Sequence, residues 1–132
     1  ALRQALAADP AGFQRLEAIV HPLVAADRAD FIAHHADAPI LVLDIPLLYE
    51  TGAQTGLDGV AVVSAPAEVQ RARVMSRPGM TEENFRLILS RQMPDAEKRQ
   101  RADWVIPSDT LAGARVAIMD ICDRIMARKP DA

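Results

Sequence analysis

The sequence of 132 residues contains little of several residue types, and each shortage excludes a class of protein. Its one cysteine, Cys122, cannot form an intramolecular disulfide or a zinc site built on several cysteines. No apolar run approaches the ~20 residues that a membrane-spanning helix needs, and no segment is typical of a signal peptide. The net charge of -3 gives no overall basic character for nucleic acid. We therefore expect a cytoplasmic protein that binds neither nucleic acid nor a membrane.

The composition is that of an ordinary globular protein. Hydrophobic residues make up 50% and charged residues 25% of the chain, and this length suits one compact domain. The chain begins at Ala1, inside the pattern ALRQALAA, which is already helical in character. We expect it to be a portion of a longer protein.

Helix signals and buried-strand signals alternate along the chain. Asp9 and Pro10 are typical of a helix start, and Pro22 should separate that helix, after His21, from a second one ending near His35. Three apolar runs lack polar alternation, which predicts parallel strands covered on both faces. These runs span residues 40–45, 60–63 and 104–106. The order of elements predicts an α/β fold in which helices cover a parallel sheet.

Further helices are predicted between and after the later strands. They cover about residues 65–77, 82–92 and 95–101, with a last helix after residue 110. Thr81 should cap the second of these, and Ser108, Asp109 and Thr110 offer capping groups for the last. Its apolar face should consist of Leu111, Ala114, Ile118, Ile121 and Ile125.

Basic residues are concentrated between Arg71 and Arg101, where eight of them accompany four acidic residues in an otherwise acidic chain. Arg73 and Arg77 lie four residues apart, on one face of a predicted helix, where two guanidinium groups can grip phosphate oxygens. On charge alone, a solvated helical face is the more common situation. The strand-then-helix setting favours phosphate, because open α/β sheets bind ligands beyond the carboxyl ends of their strands.

The stretch LVLDIPLLYE, residues 41–50, ends an apolar run with a carboxylate. Asp44 would lie at the carboxyl end of a buried strand, where an unpaired carboxylate is costly, and this favours a ligand-binding role over a turn cap. Pro46 would then end strand pairing, and Leu47 and Leu48 would form an apolar wall. Glu50 would provide a second hydrogen-bond acceptor. For the two leucines, core packing explains the pattern equally well.

Four segments resemble the dephospho-CoA kinase family in their order and spacing. They are IVHPLV (19–24), LVLDIPLLYETG (41–52), VAVVSAPAEVQRARVMSR (60–77) and MTEENFRLILSRQMPDAEKRQRADWVI (80–106). Members of that family transfer the γ-phosphate of ATP to the ribose 3′-hydroxyl of dephospho-CoA, the last step of coenzyme A biosynthesis. The resemblance implies a P-loop-kinase-like, three-layer α/β/α fold with a parallel sheet, lacking its first strand and P-loop, plus helical CoA-binding and lid segments.

The resemblance also implies a division of the chain and a set of site residues. Residues 1–38 would belong to the CoA-binding domain, residues 39–70 and 102–132 to the nucleotide-kinase core, and residues 71–101 to the lid. Arg73 and Arg77 would be catalytic, with Arg73 on an ATP phosphate. The implied substrate-binding residues are His21, Pro22, Asp44, Pro46, Leu47, Leu48 and Glu50. The implied cofactor-binding residues, besides Arg73, are Ile106, Pro107 and Ser108.

One motif of the family is absent from the printed sequence. The P-loop pattern, GxxxxGK followed by Ser or Thr, holds phosphates with its amides and magnesium with its hydroxyl. The resemblance implies ATP and magnesium as cofactors, with the magnesium ligands expected before Ala1 and no metal ligand within this chain. We therefore expect these residues alone to be inactive. A Pro107-Ser108-Asp109 turn also replaces the Asn-Gly-type turn common in the family.

Two alternative functions remain open. The chain could be a non-catalytic module that binds CoA or a nucleotide, or that serves as an interaction domain. It could also belong to another P-loop nucleoside or nucleotide kinase. Turnover separates the first alternative from a kinase, and the preferred phosphate acceptor separates the second. The sequence does not indicate an oligomeric state.

Overall fold

The computed structural model describes residues 9–128, so the helix expected at residues 1–8 lies outside the described range. The chain divides into two compact units, Ala1–Val42 and Leu43–Ala132. Within residues 9–128, none of the helices combines the length and apolar composition that crossing a membrane requires.

The described part of the first unit contains one long helix, α1 (Pro10–His34). Asp9 caps it by accepting a hydrogen bond from the Ala11 N–H at 3.0 Å. Pro22 lies inside this helix, so the break predicted there is wrong. An internal proline costs about 3 kcal/mol, but elongating an existing helix avoids the unfavourable nucleation that a second helix needs.

In the described part of the second unit, three helices separate two strands and a last helix follows. Its elements are β1 (Ala61–Ser64), α2 (Ala67–Met75), α3 (Glu82–Ser90), α4 (Asp95–Arg101), β2 (Trp104–Pro107) and α5 (Leu111–Arg128). The two strands are parallel, with Ala61 opposite Trp104 and Ser64 opposite Pro107. Helix α4 contacts β1 and helix α5 contacts β2. The predicted α/β fold with a parallel sheet is confirmed.

The strand predicted at residues 40–45 does not form. The described sheet consists of β1 and β2, and Val42 is 81% exposed. A strand is stabilised by ladder hydrogen bonds to a neighbouring strand, and residues 40–45 pair with neither described strand. This prediction from apolar continuity was therefore wrong, and the run leads instead into a series of turns at residues 46–56.

Two more predicted helix caps are confirmed in the second unit. The Thr81 hydroxyl accepts a hydrogen bond from the Asn84 N–H at 3.2 Å, and the Thr110 hydroxyl accepts one from the Gly113 N–H at 3.1 Å. Of the expected apolar face of α5, Leu111 remains 90% exposed. The local capping chemistry thus operates even though no residue of α5 is fully buried.

Helix α2 ends earlier than predicted, and this separates two arginines. Ser76 follows the helix, and Arg77 lies in the bend beyond it, so Arg73 and Arg77 do not share a helical face as expected. Arg77 precedes Pro78, whose ring disfavours the helical conformation at the residue before it. Gly79 then turns the chain at a φ of +76°, a conformation that glycine adopts without strain.

Candidate functional site

The carboxyl ends of β1 and β2 open onto a cleft with a volume of about 360 Å³. Alternation along the strands and the parallel register place Ser64, Val105 and Pro107 on one face of the sheet, and all three line the cleft. Asp95 and Arg99, four residues apart on α4, line it as well. The cleft therefore lies where ligands bind in open α/β sheets.

Ser64 connects three segments at the edge of this cleft. Its hydroxyl donates to the Asp95 carboxylate at 2.9 Å, at the start of α4. Its carbonyl accepts hydrogen bonds from the Ser108 N–H at 2.8 Å and from the Ser108 hydroxyl at 3.2 Å. Ser64 is only 9% exposed, and a buried polar group that is fully paired helps to specify one arrangement of its neighbours.

Arg73 reaches the same edge from α2. Its guanidinium donates to the Ser108 hydroxyl at 3.4 Å and to the Asp109 carbonyl at 3.3 Å. Both distances are long for hydrogen bonds of this kind. They orient the exposed guanidinium weakly, so an anion offering shorter, charge-assisted bonds can take their place.

A second arginine of α2, Arg71, joins that helix to α3. Its guanidinium pairs with both carboxylate oxygens of Glu82 and lies 5.4 Å from the centre of the buried Phe85 ring. The hydrogen bonds from Arg71 lower the pKa of Glu82 below its ordinary value. The sequence shows Arg71 only as part of a basic segment, whereas the structure gives it a bidentate ion pair between two helices.

Glu50 anchors the turns at residues 46–56 to the start of α4. Its Oε1 accepts hydrogen bonds from the Met93 N–H at 2.7 Å and from Lys98 Nζ at 3.0 Å, and its side chain is 15% exposed. Burial acts to raise the pKa of Glu50, but the bonds from Lys98 and the Met93 amide bring this pKa below its ordinary value. The carboxylate is therefore held in its charged form.

Leu47, in the same series of turns, has a left-handed backbone conformation with a φ of +53°. A residue with a branched side chain is strained there, by about 1–3 kcal/mol. The Thr51 N–H and hydroxyl both donate to the Leu47 carbonyl, at 3.0 Å and 2.8 Å, and hold the turn. Backbone strain of this kind is concentrated at functional sites in many proteins.

Comparison with known proteins identifies the family. A profile of the family described as dephospho-CoA kinase matches residues 1–112. The chain belongs to the dephospho-CoA kinase family. The dephospho-CoA kinase of Ruegeria pomeroyi is 53% identical over 126 residues, which cover 96% of this chain and 64% of that protein. That of Agrobacterium fabrum is 52% identical over 129 residues, covering 96% and 66%.

The fold is also similar to that of a solved structure. The crystal structure of TT1252 from Thermus thermophilus has a TM-score of 0.77 and 32% identity to this chain, covering 98% of it and 66% of TT1252. The chain spans less than two thirds of the length of the Ruegeria pomeroyi and Agrobacterium fabrum proteins, 64% of the first and 66% of the second.

Three residues that the dephospho-CoA kinase resemblance assigns to ATP lie at the cleft or next to residues that line it. Pro107 lines it, Ser108 is hydrogen-bonded to Ser64 behind it, and Arg73 contacts Ser108. Ile106, the fourth, is 9% exposed and buried in the sheet. Arg77 is not among the residues that line the cleft. The contacts of these side chains are now known, while their roles stay predictions.

The residues assigned to the acceptor substrate are mostly exposed. Asp44 and Pro46 are exposed, Leu47 is 41% exposed, and Leu48 is half-buried. The prediction that Asp44 is a buried carboxylate at the end of a strand was wrong, because Asp44 is exposed and no strand forms at residues 40–45. Its role in binding a ligand stays a prediction. His21 and Pro22 lie at exposed positions of α1, in the first unit.

Sequence reasoning missed several residues around the cleft. Ser64 ends a strand, so the rule applied to Asp44 would also have found it. The spacing of Asp95 and Arg99 places them on one helical face and was a readable signal. The partnership of Lys98 with Glu50 joins distant parts of the chain, and no local pattern indicates it.

Proposed function

We propose that the chain is part of a dephospho-CoA kinase, which transfers the γ-phosphate of ATP to the ribose 3′-hydroxyl of dephospho-CoA. The observation that carries the proposal is the cleft at the carboxyl edge of the parallel sheet, with Arg73 and Arg99 beside it. The similarity to proteins of that name, at 53% and 52% identity, supports it.

Phosphoryl transfer requires alignment of the nucleophile and neutralisation of charge on the phosphoryl oxygens. In our proposal Arg73 supplies positive charge from α2, on the lid formed by residues 71–101, and Arg77 supplies more from the bend after that helix. Closing the lid would exclude water and strengthen these interactions. The edge formed by Ile106, Pro107 and Ser108 would hold the nucleotide.

The acceptor would bind along residues 44–50, which we call the acceptor segment. Asp44 and Pro46 would lie at its start, with Leu47 and Leu48 forming an apolar wall. The strained backbone of Leu47 supports a functional role for this segment. Residues 1–38, with His21 and Pro22, would belong to the CoA-binding domain, and residues 39–70 and 102–132 to the nucleotide-kinase core.

The magnesium that such a reaction uses finds no site among the described residues. Within residues 9–128, no three His, Cys, Asp or Glu side chains are grouped as a metal site requires. The printed sequence also has no P-loop pattern. We therefore propose that these residues alone do not turn over ATP, and that the whole protein works in the cytoplasm, where Cys122 stays reduced.

The decisive experiment measures ADP release by the protein expressed from its complete reading frame. Dephospho-CoA is compared with AMP and CMP as acceptors, and mass spectrometry identifies the product. We expect a strong preference for dephospho-CoA and a product phosphorylated on the ribose 3′-hydroxyl. Preference for a nucleoside monophosphate would indicate a different P-loop kinase. Binding of dephospho-CoA without ADP release would indicate a non-catalytic module.

A further inference from the structure

Neither carboxylate oxygen of Glu50 is left free, because one is hydrogen-bonded and the other is buried. Oε1 already accepts two hydrogen bonds, from the Met93 N–H at 2.7 Å and from Lys98 Nζ at 3.0 Å. Oε2 is buried and has no hydrogen-bond partner among the described residues. A carboxylate that binds a substrate needs an oxygen open to it, so this geometry is that of a supporting group.

The partners of Glu50 lie on an element that also forms the proposed ATP site. Met93 lies directly before Pro94, the N-cap of α4, and Lys98 lies within the helix. Asp95 and Arg99 of the same helix line the cleft. One short helix therefore contacts the acceptor segment through one set of side chains and the cleft through another.

The contact between Glu50 and Lys98 is well suited to fix the acceptor segment relative to α4. The side chains of Glu50 and Lys98 are 15% and 22% exposed, which makes theirs the least exposed ion pair among the described residues. Water screens such a pair less than it screens a surface pair. The backbone hydrogen bond to Met93 adds a fixed direction, because the amide cannot rotate as a side chain does.

We propose that Glu50 is a positioning residue that holds the acceptor segment against α4, so that the acceptor site and the nucleotide cleft keep one relative geometry. This rests on the proposed kinase function. Glu50 does not touch the substrate in this arrangement and acts through Lys98 and the Met93 amide. It differs in this respect from the substrate-binding role that the family resemblance implies.

The test is a double-mutant cycle in the protein from its complete reading frame. Glu50→Gln keeps an oxygen for the Met93 amide and removes the charge, while Lys98→Met removes the partner charge at similar size. We expect each change to lower kcat/KM for dephospho-CoA about tenfold, the size expected of a lost hydrogen bond to a charged group. The KM for ATP should rise as well, and the double variant should be no worse than either single one.

A matched control is the exposed ion pair of Glu97 and Arg101, also on α4. Glu97→Gln should leave both KM values within about twofold of the original protein. If the effects of Glu50→Gln and Lys98→Met multiply instead of overlapping, Glu50 acts independently and the proposal is wrong. It is equally wrong if the two variants lose thermal stability while kcat and both KM values stay unchanged.

Hydrogen exchange tests the positioning role of Glu50 without measuring activity, so this role can be judged separately from the kinase function. Hydrogen exchange at the Met93 amide should become faster in Glu50→Ala and stay slow in Glu50→Gln, because only the alanine variant loses the acceptor oxygen. Unchanged exchange in Glu50→Ala would overturn the positioning role. If the original protein does not phosphorylate dephospho-CoA but the exchange result holds, the kinase function fails while the contact itself is established.

Discussion

The cleft at the carboxyl ends of β1 and β2 and the acceptor segment are built in different ways. At the cleft, Ser64, Pro107 and Asp95 each lie at an end of a regular strand or helix. The acceptor segment has neither strand nor helix. A distant contact through Glu50 and hydrogen bonds from Thr51 hold it. The ends of strands and helices are set by residues nearby in the sequence. The conformation of an irregular segment depends instead on its tertiary contacts.

The largest expected effect tests the cleft as a phosphate site. Arg73→Ala in the complete protein should lower kcat by roughly 10²-fold, because a preorganised cation near the transferred phosphoryl group is lost. The control is Arg86→Ala, which removes an exposed arginine of α3 that pairs with Glu82 at 3.4 Å. Steady-state kinetics should show a change of less than about twofold for the control. Equal effects of the two substitutions would show that only the general charge of the lid matters.

The next effect concerns the stability of the cleft edge. Ser64→Ala removes the hydroxyl that donates to Asp95 at 2.9 Å, and we expect the free energy of unfolding to fall by about 1–2 kcal/mol. Urea unfolding followed by circular dichroism measures this. Ser90→Ala is the control, because that hydroxyl makes an exposed bond to the carbonyl of Leu87 within α3. A cost for Ser64→Ala no greater than for Ser90→Ala would mean that the three segments do not depend on Ser64.

A smaller effect tests the anchor of the acceptor segment through pH. The hydrogen bonds from Lys98 and Met93 outweigh burial and lower the pKa of Glu50 from its ordinary 4.5. The folded state therefore favours the charged carboxylate, so its stabilising contribution is full above pH 4.5 and is lost as the pH falls through the lowered value.

Glu50→Gln should accordingly unfold more easily than the original protein near neutral pH, by about 1 kcal/mol. The difference should shrink below pH 4, and urea unfolding at a series of pH values measures it. A difference that stays constant from pH 7 to pH 3 would show that the charge of Glu50 contributes nothing.

The smallest effect separates backbone strain from side-chain packing. Leu47→Gly relieves the left-handed conformation, by about 1 kcal/mol, and loses about as much through the greater freedom of glycine in the unfolded chain. We expect thermal unfolding to be nearly unchanged. The half-buried Leu48 is the control, and Leu48→Gly should cost about 1–2 kcal/mol. Destabilisation of the same size at both positions would mean that Leu47 is not strained.

The outcome of sequence reasoning followed the same division between local and distant causes. The bounds of α4 at Asp95 and Arg101 and the cap at Thr81 were predicted correctly, because turn and cap chemistry acts within a few residues. The helix break at Pro22 was wrong, because a local penalty was outweighed by the cooperativity of a long helix. The site residues were indicated by family resemblance, while spacing alone left Arg73 as one surface arginine among several.

The sequence by itself determined the α/β class, the starts of most helices in the second unit and membership of the dephospho-CoA kinase family. Periodicity, capping groups and segment order carry that information within short stretches of chain. Only the tertiary structure decided that residues 40–45 remain unpaired, that Ser64 binds Asp95 and that Glu50 binds Lys98. Each of these depends on which distant group comes close enough to pair, and this is settled when the elements pack.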